Sequence, residues 1–155
     1  MNVLYLTPWF PASSEDPKSG FILDSIQAQE ALGVTAKIAH TISWKPKKSQ
    51  IPHQNDQLKT YYCLSIPRHY GRFISNWLYI LRLRRVILKL VKQHNIHLIN
   101  AHTELPGMLA VRIGKVMKVP VVVTLHGIDT CPRACARMAG KMIDNSLRQA
   151  DRVIV

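Results

Sequence analysis

The chain has 155 residues, 47% of them hydrophobic and 19% charged, which fits one globular domain and excludes a disordered tail or a collagen-like repeat. Lysine and arginine number 21 against 9 acids, a formal net charge of +12, and such a surplus favours an anionic partner: nucleic acid, anionic lipid or a phosphorylated ligand. Three cysteines do not make a disulfide scaffold and point to a reducing compartment.

In chain order, Val3 to Thr7 is a short apolar run that reads as a strand buried on both faces. It is too short for the core of a secretory signal, and Pro8, Pro11 and two acids follow it. Pro8 to Gly20 is a polar loop. Phe21 to Leu32 has helical spacing, and Gly33 supplies a stop. Val34 to Ile42 returns to strand character, Trp44 to Thr60 reads as a polar loop, and Tyr61 to Ile66 as another strand. Phe73 to Gln93 is a long helix. Its apolar stretch is broken by Arg82, Arg84, Arg85 and Lys89, short of the about 20 mostly uncharged residues that cross a bilayer. Ile96 to Ala101 is a strand, Pro106 to Met117 a helix, Val119 to Leu125 a Val-rich strand, Arg133 to Ala150 a helix, and Val153 to Val155 the start of one more strand. The expected fold is α/β: a Rossmann-like parallel sheet flanked by helices, joined by right-handed crossovers. A chain ending inside a strand reads as truncated, or as the first half of something larger.

Ligands of open parallel sheets sit outside the carboxyl ends of the strands, which selects three places. The first is the loop before the helix at Phe21, where free N–H groups and Gly20 would suit a phosphate; the same residues serve equally as a plain turn. Neither GxGxxG nor GxxxxGK[ST] is present, which disfavours a standard dinucleotide fold or a P-loop. The second place is Asn100 to Glu104, with His102 beside Glu104. The third is Thr124 to Asp129, with His126 before Gly127. A histidine can bond a sugar hydroxyl or phosphate, or carry a proton near neutrality. One histidine usually only caps a helix, but two at equivalent strand ends point to a site.

Cys131 and Cys135 are spaced for one helix face with His126 nearby, yet no CxxC pair is present and Cys63 lies elsewhere, so no metal site is expected. No GxSxG motif or activated cysteine supports nucleophilic catalysis. On the long helix, at roughly 100° per residue, Phe73, Trp77, Leu81, Leu88 and Val91 share one face and Arg82, Arg85, Lys89 and Lys92 its neighbour. That pattern fits either an interfacial helix on anionic lipid or a core helix with a solvated basic side.

Several segments together resemble one family. Val3-Leu4-Tyr5-Leu6-Thr7-Pro8-Trp9-Phe10-Pro11, then Ser19-Gly20-Phe21 and Ala31-Leu32-Gly33-Val34, are similar to the opening of retaining, nucleotide-sugar-dependent glycosyltransferases of GT-B fold, family four. Ile99-Asn100-Ala101-His102 with Leu105-Pro106-Gly107 and Ala110 is similar to the family's fourth-strand segment. Val121-Val122-Val123-Thr124-Leu125-His126-Gly127 with Asp129 is similar to its T-x-H-G-x-D segment, and Ala150 to Val155 to the strand before the second domain. Members acting on teichuronic-acid, capsular or exopolysaccharide chains look nearest.

The resemblance implies an amino-terminal, acceptor-side domain over 1–155, apparently truncated, with the donor-binding carboxyl-terminal domain absent. It implies a nucleotide sugar as co-substrate, no metal or other cofactor, and a polysaccharide or lipid-linked acceptor. His126 would act at the transferred sugar, Gly20 would approach the donor diphosphate, and His102, Glu104 and Asp129 would line the acceptor cleft. Many relatives have two adjacent glycines where this chain has Ser19-Gly20. Trp77, Arg82, Arg85, Lys89 and Lys92 would touch an anionic membrane, which suits a cytoplasmic protein peripheral to its inner face. The fragment alone is expected to lack turnover. The competing expectation is a non-catalytic basic α/β module for anionic lipid or nucleic acid, though no nucleic-acid motif is present; a third is a non-functional remnant.

Overall fold

The structure, a computed structural model, describes residues 1–11, 20–43, 52, 55–63, 72–126 and 144–155. Its elements are β1 (Asn2–Thr7), α1 (Gly20–Ala31), β2 (Thr35–Ser43), β3 (Leu58–Cys63), α2 (Arg72–Gln93), β4 (Leu98–His102), α3 (Glu104–Met117), β5 (Val121–Thr124) and β6 (Arg152–Ile154). The six strands form one sheet in the order β3-β2-β1-β4-β5-β6, and every pair is parallel.

The core follows from the alternation of side chains along β1. Leu4 and Leu6 point to one face, into a cluster with Ile80, Leu83 and Ile87 of α2 and Met108, Leu109 and Ile113 of α3. Val3 and Tyr5 point to the other, where Ile22 and Ile26 of α1 cover them with Ala36 and Ile38 of β2. Strands buried on both faces carry continuous apolar runs rather than an apolar–polar alternation. Helix α1 ends where Gly33 takes φ 84°, a left-handed conformation open to glycine without strain. Its amide donates to the Glu30 carbonyl at 2.9 Å.

Two expectations require correction. The segment read as loop up to Thr60 contains the first half of β3, which begins at Leu58. Asn55 Oδ1 accepts the amides of Gln57 and Leu58 at 2.8 and 2.7 Å, a turn that launches the strand. Leu58 and Thr60 are buried while Lys59 is exposed, the pattern of a half-buried edge strand. Residues 64–66 lie outside the described residues.

The second correction concerns α2. Its buried seam is Tyr79, Ile80, Leu83, Ile87, Leu90 and Val91; of the apolar face read from the sequence, Val91 joins this seam and Leu88 is partly buried against it. Trp77 and Leu81 stand outward, 52% and 46% exposed. A helix with apolar residues on two sides has two possible seams, and periodicity alone does not select the one the sheet takes. The ends of the other elements lie within two residues of expectation. Of the helix expected over Arg133 to Ala150, only a turn at 144–147 lies among the described residues.

Helix α3 sits unusually close to the sheet, because two glycines face it. A Cβ at Gly107 would lie 2.7 Å from Val123 Cγ1, and one at Gly114 would press into Val121 Cγ2 and lie 2.7 Å from the Val119 carbonyl oxygen. A methyl side chain can shift but that carbonyl cannot. Gly114→Ala is therefore expected to lower stability by about 2 kcal/mol despite its better helix propensity. Among the described residues nothing lies within 4 Å of a Cβ added at Gly20, so Gly20→Ala should stay within about 0.5 kcal/mol of the parent. Urea unfolding of both variants measures the contrast.

Candidate functional site

Parallel pairing brings every strand's carboxyl end to one rim. The strand order reverses direction between β1 and β4, and such a switch point opens a crevice where α/β proteins bind ligands. The chain leaves β1 through Thr7, whose Oγ1 donates to the Trp9 carbonyl at 2.7 Å and accepts the Trp9 amide at 3.1 Å. This closed turn sets Trp9 over the rim.

On the other side of the crevice, β4 ends in His102, which is 5% exposed. Its Nδ1 lies 3.0 Å from His126 Nε2, just past β5. The two rings are parallel within 3° with centroids 5.3 Å apart. That separation is too large for face-to-face contact; the rings meet edge to edge through one in-plane hydrogen bond. Beneath them Thr124 Oγ1 donates to Asn100 Oδ1 at 3.4 Å. Phe21 packs against His126 in a T-shaped contact at 5.0 Å, and Trp9 lies at 5.8 Å. His126 thus sits between the first turn of α1 and the loop after β1.

The pair shares one proton, whose position determines the rest. If His102 donates, His126 carries its own proton on Nδ1; if His126 donates, its Nδ1 is an acceptor. Burial first, and the neighbouring His126 second, push the His102 pKa down to about 4, so His102 is neutral at physiological pH. Among the described residues its buried Nε2 has no hydrogen-bond partner, a costly arrangement in a finished core.

The backbone at this corner is also strained. Thr103 has φ 74°, a region that a β-branched residue rarely enters and that typically costs about 1–3 kcal/mol. It is held there from both sides. Its amide donates to the Thr124 carbonyl at 2.8 Å, and its carbonyl accepts the Gly107 amide at 3.1 Å. The sharp turn leaves Pro106 in the first turn of α3, where a missing N–H costs nothing.

A third histidine completes the rim. His40 of β2 is paired in register with Thr7 and is 2% exposed. Its Nε2 lies 3.3 Å from the Pro8 carbonyl and its Nδ1 3.4 Å from Thr60 Oγ1. A carbonyl only accepts, so Nε2 carries the proton and Nδ1 accepts from the threonine. Burial lowers the His40 pKa to about 4, partly opposed by the Pro8 bond. Phe10 lies 6.4 Å from its ring. His40 therefore tethers the β1–α1 loop.

Of the residues singled out from the sequence, the structure brings together His102, His126 and, through the adjoining Phe21, Gly20. Glu104 opens α3 two residues beyond His102 and is partly buried. Asp129, Cys131 and Cys135 lie outside the described residues, among which no three metal-ligating side chains lie together. Trp77, Arg82, Arg85, Lys89 and Lys92 belong to α2, not to the crevice. Sequence reasoning missed the aromatic packing of Trp9 and Phe21 on His126, the strain at Thr103, and His40. His40 lacks the signal of the other two: it lies inside β2, three residues before its end, and only the register with Thr7 brings it to the rim.

Comparison with known proteins places this geometry. The sequence pattern of Glycosyltransferase Family 4 matches residues 21–155. The chain belongs to that family. No curated protein matches it significantly. Sucrose-phosphate synthase from Thermosynechococcus elongatus superposes on 100% of this family 4 chain and 42% of its own, at TM-score 0.66 and 14% identity. MurG from Acinetobacter baumannii covers 98% of this chain and 40% of its own, at TM-score 0.53 and 12% identity. HepE from Anabaena, solved in complex with UDP, covers 99% and 37%, at TM-score 0.55 and 16% identity. The chain spans about two fifths of the length of these proteins. Its six-stranded parallel sheet has the layout of the amino-terminal halves of GT-B glycosyltransferases.

The two neutral histidines make the family 4 domain sensitive to acid. An unfolded imidazole takes its proton near pH 6.5, while His40 and His102 stay neutral until about 4. Between those values the unfolded chain holds more protons, so stability falls as pH drops. Urea titrations at stepped pH should show His40→Gln and His102→Gln each removing up to about 1.4 kcal/mol per pH unit of that slope.

Proposed function

We propose that this domain is the acceptor side of a retaining, nucleotide-sugar-dependent glycosyltransferase that builds a cell-surface polysaccharide or extends a lipid-linked acceptor. A second α/β domain across the crevice would hold the donor. The observation that supports this reading best is the His102–His126 bond, packed against Phe21 and Trp9 at the switch point beside Gly20. UDP in the HepE complex and UDP-GlcNAc in an epimerase from Neisseria meningitidis, TM-score 0.59 and 13% identity, show the class of ligand that comparable folds accept.

In this reading the bond from the anomeric carbon to the diphosphate oxygen breaks, and the acceptor hydroxyl oxygen bonds to the same face of that carbon and passes its proton to the departing diphosphate. The charge left on the diphosphate is stabilised by oriented N–H groups. That no described residue lies within 4 Å of a Cβ added at Gly20, in the first turn of α1, supports that approach. His126 bonds a hydroxyl of the transferred sugar, and His102, by holding the His126 ring in plane, selects its tautomer. The faces of Trp9 and Phe21 offer apolar surface to sugar C–H groups. Glu104 and Asp129 are assigned to the acceptor. The reaction written this way uses no metal or organic cofactor.

Saturation-transfer and chemical-shift NMR on the chain tests the reading, with UDP, UDP-hexoses and short oligosaccharides as probes. Shifts should concentrate on His102, His126, Phe21 and Trp9, and His126→Ala should weaken binding about 10-fold, the loss of one good hydrogen bond. Shifts confined to other surfaces would remove the assignment. Efficient sugar transfer by this chain alone would remove the two-domain requirement.

A further inference from the structure

Helix α2 does two jobs with two faces. Its inner seam is sealed against the sheet. The Tyr79 hydroxyl lies 3.1 Å from Thr41 Oγ1, and Arg82 Nε donates to the Tyr62 carbonyl at 2.9 Å, so the helix is pinned to β2 and β3. Its outer face is what a soluble core helix does not need. Trp77 and Leu81 stand 52% and 46% exposed. Leu78, Leu81 and Leu88, with Arg82, Arg84 and Arg85, line an open groove of about 620 Å³.

The charge on this face is one-sided. Among the 22 residues of α2 there is no acid. Arg84, Arg85, Lys89 and Lys92 are exposed, and none of them forms an ion pair among the described residues. At roughly 100° per residue, Trp77, Leu81, Arg84 and Leu88 fall within about one sixth of a turn, with Arg85 and Lys92 beside them. Apolar and cationic groups are interleaved on a rigid surface.

We infer that the outer face of α2 docks this domain on an anionic lipid bilayer. A bilayer surface offers a place to both halves of the face: Trp77 and Leu81 enter the headgroup–acyl boundary, and the cations reach lipid phosphates. A second copy presenting the same face would set cations against cations. A nucleic-acid backbone would satisfy the arginines and leave the leucines against phosphate. The helix is already folded and packed, so docking orders little new chain. In a parallel α/β layout a crossover helix starts at the carboxyl-end rim, so Trp77, early in α2, lies toward the same end of the sheet as His102 and His126. The inference concerns the surface alone and does not depend on the transfer reading.

Co-sedimentation of the full chain with phosphatidylcholine vesicles, with and without phosphatidylglycerol, tests it. Binding is expected on the anionic vesicles alone and should weaken as ionic strength rises. Arg84→Gln with Lys89→Gln should lower the partition coefficient about 30-fold. Trp77→Ser with Leu81→Ser should lower it on the order of 10-fold. All four residues are exposed, so circular dichroism and the unfolding midpoint should not change. With Trp9 and Trp44 replaced by Phe, Trp77 emission should shift to the blue on anionic vesicles. Equal binding to neutral vesicles, or binding indifferent to both double variants, would overturn the inference. So would duplex DNA binding tighter than vesicle binding in the same buffer, or self-association that Trp77→Ser abolishes.

Discussion

Parallel pairing about a strand that water does not reach is the constraint on which this molecule depends. Val3 to Thr7 are fully buried, so β1 must be covered on both faces, and covering it takes helices on both. The crossovers that carry those helices keep the strands parallel. Parallel strands in turn place all carboxyl ends on one rim. Thr7, His40, His102 and His126 share that rim for this reason, although 119 positions separate the first from the last.

The corner between β4 and α3 is where the fold gives up stability. Thr103 is held in a strained conformation, and His102 keeps a buried nitrogen with no partner among the described residues. Both costs are sustained by the close seat of α3 on β5, which needs Gly107 and Gly114. The Thr103 amide, bonded to the Thr124 carbonyl, ties the same corner to the end of β5. Strain and an unmet polar atom at one corner are the usual marks of a surface shaped for a ligand rather than for packing.

Much of this was legible in the sequence. The apolar run of β1, the stop at Gly33 and the Val-rich β5 announced themselves through hydrophobicity and one turn residue. His102 and His126 were visible because each closes an apolar strand. Three things were hidden, for different reasons. The start of β3 is an edge strand with one wet face, so Gln57-Leu58-Lys59-Thr60 has the composition of a loop. The inner seam of α2 could not be chosen because leucines occupy both sides, and only the sheet decides between them. The packing of Phe21 and Trp9 on His126 joins residues more than one hundred positions apart, which no local pattern encodes.

The burial of His40 and His102 has an electrical consequence. A chain with twelve surplus positive charges keeps these two imidazoles of its crevice uncharged, and so keeps that part of the rim free of the surplus. An anion seated there would be gripped by fixed dipoles, with few counterions expelled and little dependence on the surrounding electrolyte. The cationic helix obeys the opposite rule, since mobile ions compete for it directly. On the two proposals together, one polypeptide would carry two kinds of attraction for negative charge, one that dilution strengthens and one that it leaves nearly unchanged.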